Sequence, residues 1–439
     1  MKFREPQADA VLKGLVRRTG MSAARLADET YQKAAEVLKG NCGEEGIRAS
    51  DRGYNEVWCR DSFITFIGAN MLGEAELLKA AKNTLLTLGR SKSELGQIPV
   101  NYDLGRHKAM FFIGGAVDSA SLYIIGLANL YSVSGDRDLL NEALDHAIDA
   151  YRWLRYQDSR NIMLIDSQPG ADWMDNTLKR EGITLYNNVL FLAATKCINR
   201  LCDISGKGLG DGIRLDYDSL ERNFNEVFAP GEEAMRSGSW LNLGDYKREY
   251  FSGLPEGKLR YHPQFVTMNR VDMHFDTLSN LAAIAMGIST PDMASSIISY
   301  IGENRLADPY PIRVMHPNYG RHDQFFDGPF TRAKPRDVRN SRYCFHNGGV
   351  WPFVGGFYVM ALKDAGSPAF ERELERLAAA NSLIVEGGRL GFNEWIHGRR
   401  GVPMGKDGQS WSAGMYIAAY MASSGTDPFG FLKNINNLS

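Results

Sequence analysis

The chain has 439 residues, 44% apolar and 23% charged, and its 50 basic against 52 acidic side chains leave a formal net charge of −2. This balance excludes the basic excess that binding to nucleic acid by counterion release needs, and it excludes disorder, because such a chain buries enough apolar surface to fold. No apolar run reaches the roughly 18 residues of a membrane span, so no membrane partner is expected.

The first twenty residues intersperse Lys2, Arg4, Glu5 and Asp9 with Lys13, Arg17 and Arg18 and hold no long apolar stretch. No secretory signal is expected from them. Cys42, Cys59, Cys197, Cys202 and Cys344 are odd in number and form no CxxC pair, which argues against a disulfide framework and against a zinc site. The expectation is a cytoplasmic protein with one catalytic domain over 1–439, and the sequence carries no signal for an oligomeric state.

In chain order, apolar spacing predicts helices over 23–39, 62–88, 117–133 and 138–156. Further helices are predicted over 183–201, 214–228, 272–286 and 291–301, then 349–362, 369–384 and 409–421. The segment 62–88 reads as one long helix crossed by Gly68 and Gly73. Strand signals are weak, confined to 162–165 and 312–315. From 117 onwards an apolar helix repeatedly precedes an amphipathic one, the pattern of an inner ring covered on both sides and an outer ring half exposed. Eleven or twelve such helices predict an all-α (α/α)6 toroid rather than an open solenoid, whose self-similar repeat is missing. Two long polar loops, 253–264 and 317–340, read as insertions at one mouth of the barrel.

Six of the seven tryptophans fall at element edges, most of them beside glycine or a carboxylate: Trp58, Trp173, Trp240, Trp351, Trp395 and Trp411. Loop-edge aromatics also cap cores. Several together, each with Asp, Glu, Asn, Gln or Arg close by, are what a sugar site needs, since sugar rings offer apolar faces for stacking and a rim of hydroxyls for hydrogen bonds. Glycoside hydrolysis requires two carboxyl groups, and Asp175 and Glu394 are the best pair. Asp175 follows Trp173 and Met174 in a partly apolar setting that would keep it protonated, with Asp172 its competitor for the acid role. Glu394 stands between Asn393 and Trp395 in a glycine-flanked loop. Asp61 beside Arg60, and Asp118, read either as helix N-caps and dipole partners or as clamps on sugar hydroxyls. The histidines form no metal constellation, and no dinucleotide or phosphate-loop motif is present, so no metal and no cofactor are expected.

These segments resemble the six-hairpin glycosidases, notably the alkaline/neutral invertases of glycoside hydrolase family 100, the family 63 enzymes and the amylo-alpha-1,6-glucosidase-like part of glycogen-debranching proteins. Trp58-Cys59-Arg60-Asp61 is similar to the motif that holds hydroxyls of the released sugar, and Trp173-Met174-Asp175-Asn176 to the acid-bearing segment. His346-Asn347-Gly348-Gly349-Val350-Trp351-Pro352 resembles an invertase segment with Val350 in place of serine. Asn393-Glu394-Trp395 resembles the base-bearing segment, and Gln409-Ser410-Trp411 the segment after it. The resemblance implies an inverting hydrolase of an α-glucosidic or related α-glycosidic bond in a small soluble saccharide or glucan end. Asp175 would be the acid and Glu394 the base. Trp58, Arg60, Asp61, Asp118, Asp172, Trp173, His346, Asn347, Trp351, Trp395, Gln409 and Trp411 would bind the carbohydrate. The invertases' arginine-rich stretch after the acid is replaced by Asn176-Thr177-Leu178-Lys179-Arg180, so the resemblance does not single out sucrose, and trehalose, an α-1,6-glucan and glucosylglycerate stay open beside it. A sugar epimerase, a phosphorylase on the same toroid and a non-catalytic carbohydrate-binding protein are the alternatives.

Overall fold

A computed structural model describes residues 22–112, 116–175, 178–230, 259–267, 271–323, 334–335 and 338–438. Among these residues twelve long helices run α1 (Ala23–Asn41), α2 (Cys59–Ala69), α3 (Ala75–Arg90), α4 (Val117–Ser134), α5 (Arg137–Arg155) and α6 (Leu185–Ser205). They continue as α7 (Tyr217–Phe228), α8 (Thr277–Ala285), α9 (Pro291–Glu303), α10 (Pro352–Asp364), α11 (Phe370–Asn381) and α12 (Ser410–Ser423). The even-numbered helices form the inner ring. Each packs on the next, and α12 packs back on α2 to close it. The odd-numbered helices lie outside, with α1 set against α11 and α12. This is an (α/α)6 toroid.

Burial follows from composition. Every residue of α2 is buried, because an inner helix meets neighbours all round. Outer α5 buries only the stripe Leu139, Leu140, Ala143, Leu144, Ala147, Ile148, Ala150, Tyr151 and Leu154. Capping is commoner in the outer ring, although outer α3 and α11 have no side-chain cap. Ser22, Asp136, Asp216 and Thr290 accept backbone N–H bonds at the starts of outer α1, α5, α7 and α9. Inner α2, α4, α6, α10 and α12 begin with no side-chain cap, and α8 alone of the ring has one, Asp276.

The predicted helix 62–88 is a hairpin. A 3-10 turn, Asn70–Leu72, ends at Gly73 with φ 64°, so α2 turns back as α3. Apolar residues persist across the turn because both helices are covered, which hid the break from a periodicity reading. The helix predicted from 272 starts at Thr277, because Val271–Asp272 and Phe275–Asp276 are short strands paired with Phe265–Val266 and Met315–His316. The 312–315 signal therefore resolves to a two-residue strand plus a bridge between Arg313 and Val350. Residues 162–165 form no strand: both Asp158 oxygens take N–H groups from Ile162 and Met163, and Met163 has φ 63°. Much of the two long predicted loops lies outside the described residues, as does Trp240.

Where α2 meets α12 the packing is backbone on backbone. A Cβ at Gly68 would sit 1.8 Å from the Gly414 carbonyl oxygen, and one at Gly414 would sit 2.7 Å from that of Thr65.

Candidate active site

Segments leading into inner helices meet at the mouth of the toroid around a cavity of about 270 Å³. Asp175 and Glu394 both line it. So do Trp58, Arg60, Asp61, Trp173, His346, Trp351, Gln409 and Trp411 from the predicted set. Tyr54, Phe112, Lys334, Val338 and Phe345 complete the wall and were not anticipated.

The segments are stitched together by backbone bonds. Val350 and Ile396 exchange N–H···O bonds of 2.8 and 2.7 Å, and Val314 donates to the Gly349 carbonyl at 3.0 Å. Gln409 donates to Phe392 at 2.9 Å, while Glu394 donates to Lys406 at 2.7 Å. The Glu394 carboxyl then accepts from Tyr54 OH at Oε1 (3.1 Å) and from the Lys406 N–H at Oε2 (3.2 Å). Gly405, with φ 72°, makes room for it, since a Cβ there would lie 2.5 Å from Glu394 Oε2. Gly405→Ala should therefore displace Glu394 and cut kcat by ~10-fold or more with little change in KM, read from steady-state kinetics on any turned-over glycoside.

Elsewhere in the lining, Asp175 Oδ2 lies 2.9 Å from Arg60 Nη2, and Arg60 Nη1 lies 2.9 Å from Asp118 Oδ2. The Asp175 side chain keeps 26% exposure against 7% for Arg60, so its carboxyl reaches the cavity. Burial pushes the Asp175 carboxyl above the ordinary carboxylate range, Arg60 opposes this, and the neighbouring Asp172 adds to it. Burial likewise raises Asp61 to about 7 and Asp118 to about 6, again against the pull of Arg60.

A carboxyl raised on folding gives stability that is fully present below its unfolded value, near 4, and is lost as pH climbs through its folded value. Between pH 5 and pH 8 this contribution should shrink, so the melting temperature of wild type should fall relative to that of Asp61→Asn in thermal unfolding scans, a difference in which the opposing contribution of the buried histidines cancels.

The floor is aromatic. Trp351 stacks on His346 (centroids 5.1 Å apart) and meets Trp173 and Trp411 edge-on, each at 5.6 Å. Burial holds His346 neutral, its pKa driven well below the usual histidine value. Several polar atoms of these lining side chains are buried without a hydrogen-bond partner among the described residues: Trp173 Nε1, Trp411 Nε1, His346 Nδ1 and both amide atoms of Gln409. Buried polar groups are rarely left unmatched, and this set offers donors and acceptors of the kind that hydroxyl groups match.

Four predicted binding residues lie outside the cavity lining. Asp118 serves Arg60. Asp172 pairs with Arg180 at 2.8 Å and accepts the Met174 N–H at 2.9 Å. Asn347 spends its amide on the loop before it, donating to Tyr319 and Asn340 carbonyls and accepting from the Tyr319 N–H. Trp395 is fully buried and packs against Phe345. The Arg60 guanidinium spends both of its Nη atoms on carboxyl groups, those of Asp118 and Asp175, rather than on the open cavity.

Of the unanticipated residues, only Tyr54 offered a sequence signal, an aromatic four positions ahead of Trp58. Phe345 adopts φ 46° and gives its carbonyl to Trp351 Nε1 at 3.1 Å, a relation of backbone to side chain that sequence does not display.

Residues 260–425 match the family model of alkaline and neutral invertase. The chain is similar to the invertases. It is 28% identical over 253 residues to the probable alkaline/neutral invertase D of Arabidopsis thaliana, covering 50% of this chain and 45% of that one. Against cytosolic invertase 1 of Oryza sativa subsp. japonica it is 24% identical over 298 residues, covering 60% and 49%. It thus spans about half the length of these relatives. Among solved structures, the GH63 mannosylglycerate hydrolase from Thermus thermophilus, in complex with Tris and D-glycerate, superposes with a TM-score of 0.61 at 16% identity, covering 89% of this chain and 99% of that one. A bacterial glucoamylase complexed with acarbose gives 0.62 at 14% identity, covering 91% and 56%. These likenesses show the fold to be that of the six-hairpin glycosidases. No described helix is long and apolar enough to cross a membrane.

Proposed function

We propose that the protein is an inverting glycoside hydrolase acting on an α-glucosidic or related α-glycosidic bond of a small saccharide or glucan end. The observation that carries this reading is that Asp175 and Glu394, 219 positions apart by their numbers, line one cavity floored by tryptophans with unmatched hydrogen-bonding atoms. Asp175 in its protonated form gives its proton to the glycosidic oxygen as the bond breaks. The carboxylate left behind meets Arg60, 2.9 Å away, so charge forms next to a cation already in place. Glu394, oriented by Tyr54 and the Lys406 N–H, takes a proton from a water that attacks the anomeric carbon from the opposite face. Inversion needs roughly 6.5–9.5 Å between the two carboxyl groups to admit that water. Asp61, Gln409 and the indole N–H groups of Trp173 and Trp411 hold the sugar hydroxyls, and Trp351 supplies an apolar face.

The same geometry speaks against an epimerase with paired axial histidines. Only His346 reaches the cavity among the described residues, while His397 accepts the backbone N–H groups of Arg399 and Arg400. A cytoplasmic location and a single catalytic domain belong to this proposal, and all five cysteines are free thiols, as a reducing compartment would leave them.

The test is a screen of sucrose, trehalose, isomaltose, maltose, glucosylglycerate and mannosylglycerate, with proton NMR of the first-formed anomer. The expected product from an α-glycoside is the β anomer, formed without added phosphate. A fresh α anomer would overturn inversion, strict dependence on phosphate would make the protein a phosphorylase, and no turnover of any glycoside would favour a binding protein.

A further inference from the structure

Two arginines stand on either side of the loop that carries the acid. Arg60 joins Asp118 to Asp175, and Arg180 joins Asp172 to Asp276, with 2.8 Å from Nη2 to Asp172 Oδ2 and 2.8 Å from Nη1 to Asp276 Oδ2. The second triad is almost wholly enclosed: Arg180 keeps 1% side-chain exposure, Asp172 4% and Asp276 0%. Asp276 also caps α8 by accepting the Ser279 N–H, and the loop is tied to α4 where Val117 N–H meets the Ala171 carbonyl.

Burying three charges is a poor way to stabilise a fold, since desolvation offsets the attraction and an apolar trio of the same volume often does as well. Two carboxyl groups share one guanidinium, so with both ionised the triad carries a net charge of −1 shielded from solvent; burial pushes Asp276 up, while Arg180 and the hydrogen bonds from Ser279 pull it back. That charge sits three residues from Asp175 on the same loop.

We infer that Asp172, Arg180 and Asp276 form an electrostatic brace that fixes the acid loop to the start of α8 and uses its excess negative charge to keep the proton on Asp175. The inference rests on Asp175 being the acid. In it, Asp172, Arg180 and Asp276 are positioning residues that touch no substrate, which is why Asp172 lies outside the cavity wall.

The balance at Asp175 has identifiable parts. Arg60 favours the ionised form, while Asp61 on α2 and Asp118 on α4 oppose it. Tyr54 faces the same carboxyl from the segment before α2. Glu394, His346 and Lys334 share the cavity wall. From α6, Tyr186 faces Asp118 and Asp172. Against one adjacent cation, the brace adds a carboxylate that folding cannot move away.

The experiment compares wild type with Asp172→Asn, which makes the triad neutral, and with Arg180→Lys, which keeps its charge. Should Asp172→Asn fail to fold, Asp276→Asn neutralises the triad from its other end and retains an amide able to cap α8. Two readouts are taken. One is the titration of Asp175 by NMR of carboxyl-labelled aspartate, assigned with Asp175→Asn and needing no substrate. The other is the alkaline limb of kcat/KM on whichever saccharide wild type turns over.

The neutral triads should lower the Asp175 titration and the alkaline limb together by roughly 0.5–1 pH unit, and Arg180→Lys should leave both near wild type. Unmoved Asp175 titration in folded Asp172→Asn and Asp276→Asn proteins would overturn the brace. If no saccharide is hydrolysed by wild type, the hydrolase reading fails, while the NMR titration still decides whether the brace acts on Asp175.

Discussion

Asp175→Asn and Glu394→Gln should each reduce kcat on an unactivated glycoside by about 10²–10⁴-fold while the proteins stay folded. The two losses should differ in kind. Asparagine at 175 cannot protonate a leaving oxygen, so its defect should shrink on a glycosyl fluoride, whose leaving group departs without a proton. Glutamine at 394 cannot activate water, so its defect should persist on the fluoride and be relieved by azide, a nucleophile with no proton to lose. Steady-state rates of both variants on a fluoride and a natural linkage, with and without azide, check this. Retention of a tenth or more of wild-type activity by either variant on the natural linkage would remove that residue from its role.

The largest effect on stability is expected at the seam between α2 and α12. Gly68→Ala places a methyl group 1.8 Å from the Gly414 carbonyl oxygen, and the obstacle is backbone, which cannot swing aside as a side chain can. Overpacking of this kind costs typically about 1–3 kcal/mol and more where nothing yields, so Gly68→Val should leave little folded protein. Gly40→Ala is the internal contrast. Nothing lies within 4 Å of a Cβ at that helical position, and the exchange should stabilise by about 0.5–1 kcal/mol through backbone entropy. Thermal unfolding of the three variants separates the two effects, and equal melting temperatures for Gly68→Ala and wild type would show that the seam opens more readily than its geometry implies.

Residue pattern alone carried the toroid, because inner and outer helices differ in how many sides they bury, and that difference is written in composition. It carried Trp58, Arg60, Asp61, Trp173 and Trp411 to the cavity for a related reason: the long connections run into the inner helices, so an aromatic or charged residue late in such a connection or in the first turn of the helix it enters stands at the mouth. What it could not carry were pairings between distant segments. Asp172 looked like a sugar ligand until Arg180 was seen to occupy it, with Asp276 on the far side of the guanidinium. Asn347 reads as a free amide in the sequence, but the folded chain spends that amide on the loop at Tyr319 and Asn340. Asp175 is raised by burial and by the nearby Asp172 carboxyl, a neighbour whose effect its apolar sequence setting does not display. The α2–α3 turn was lost because apolar content continues through it.

The closing contact of the ring lies between its first and last inner members, α2 at residues 59–69 and α12 at 410–423. During synthesis α2 leaves the ribosome long before its glycine-matched partner exists, and α1 waits for the same late hairpin. Contacts so far apart in sequence form slowly, and transiently bare apolar surface invites aggregation. Closure of the ring therefore depends on a segment made long after α2, so a chain cut before α12 would present an open edge rather than a smaller barrel.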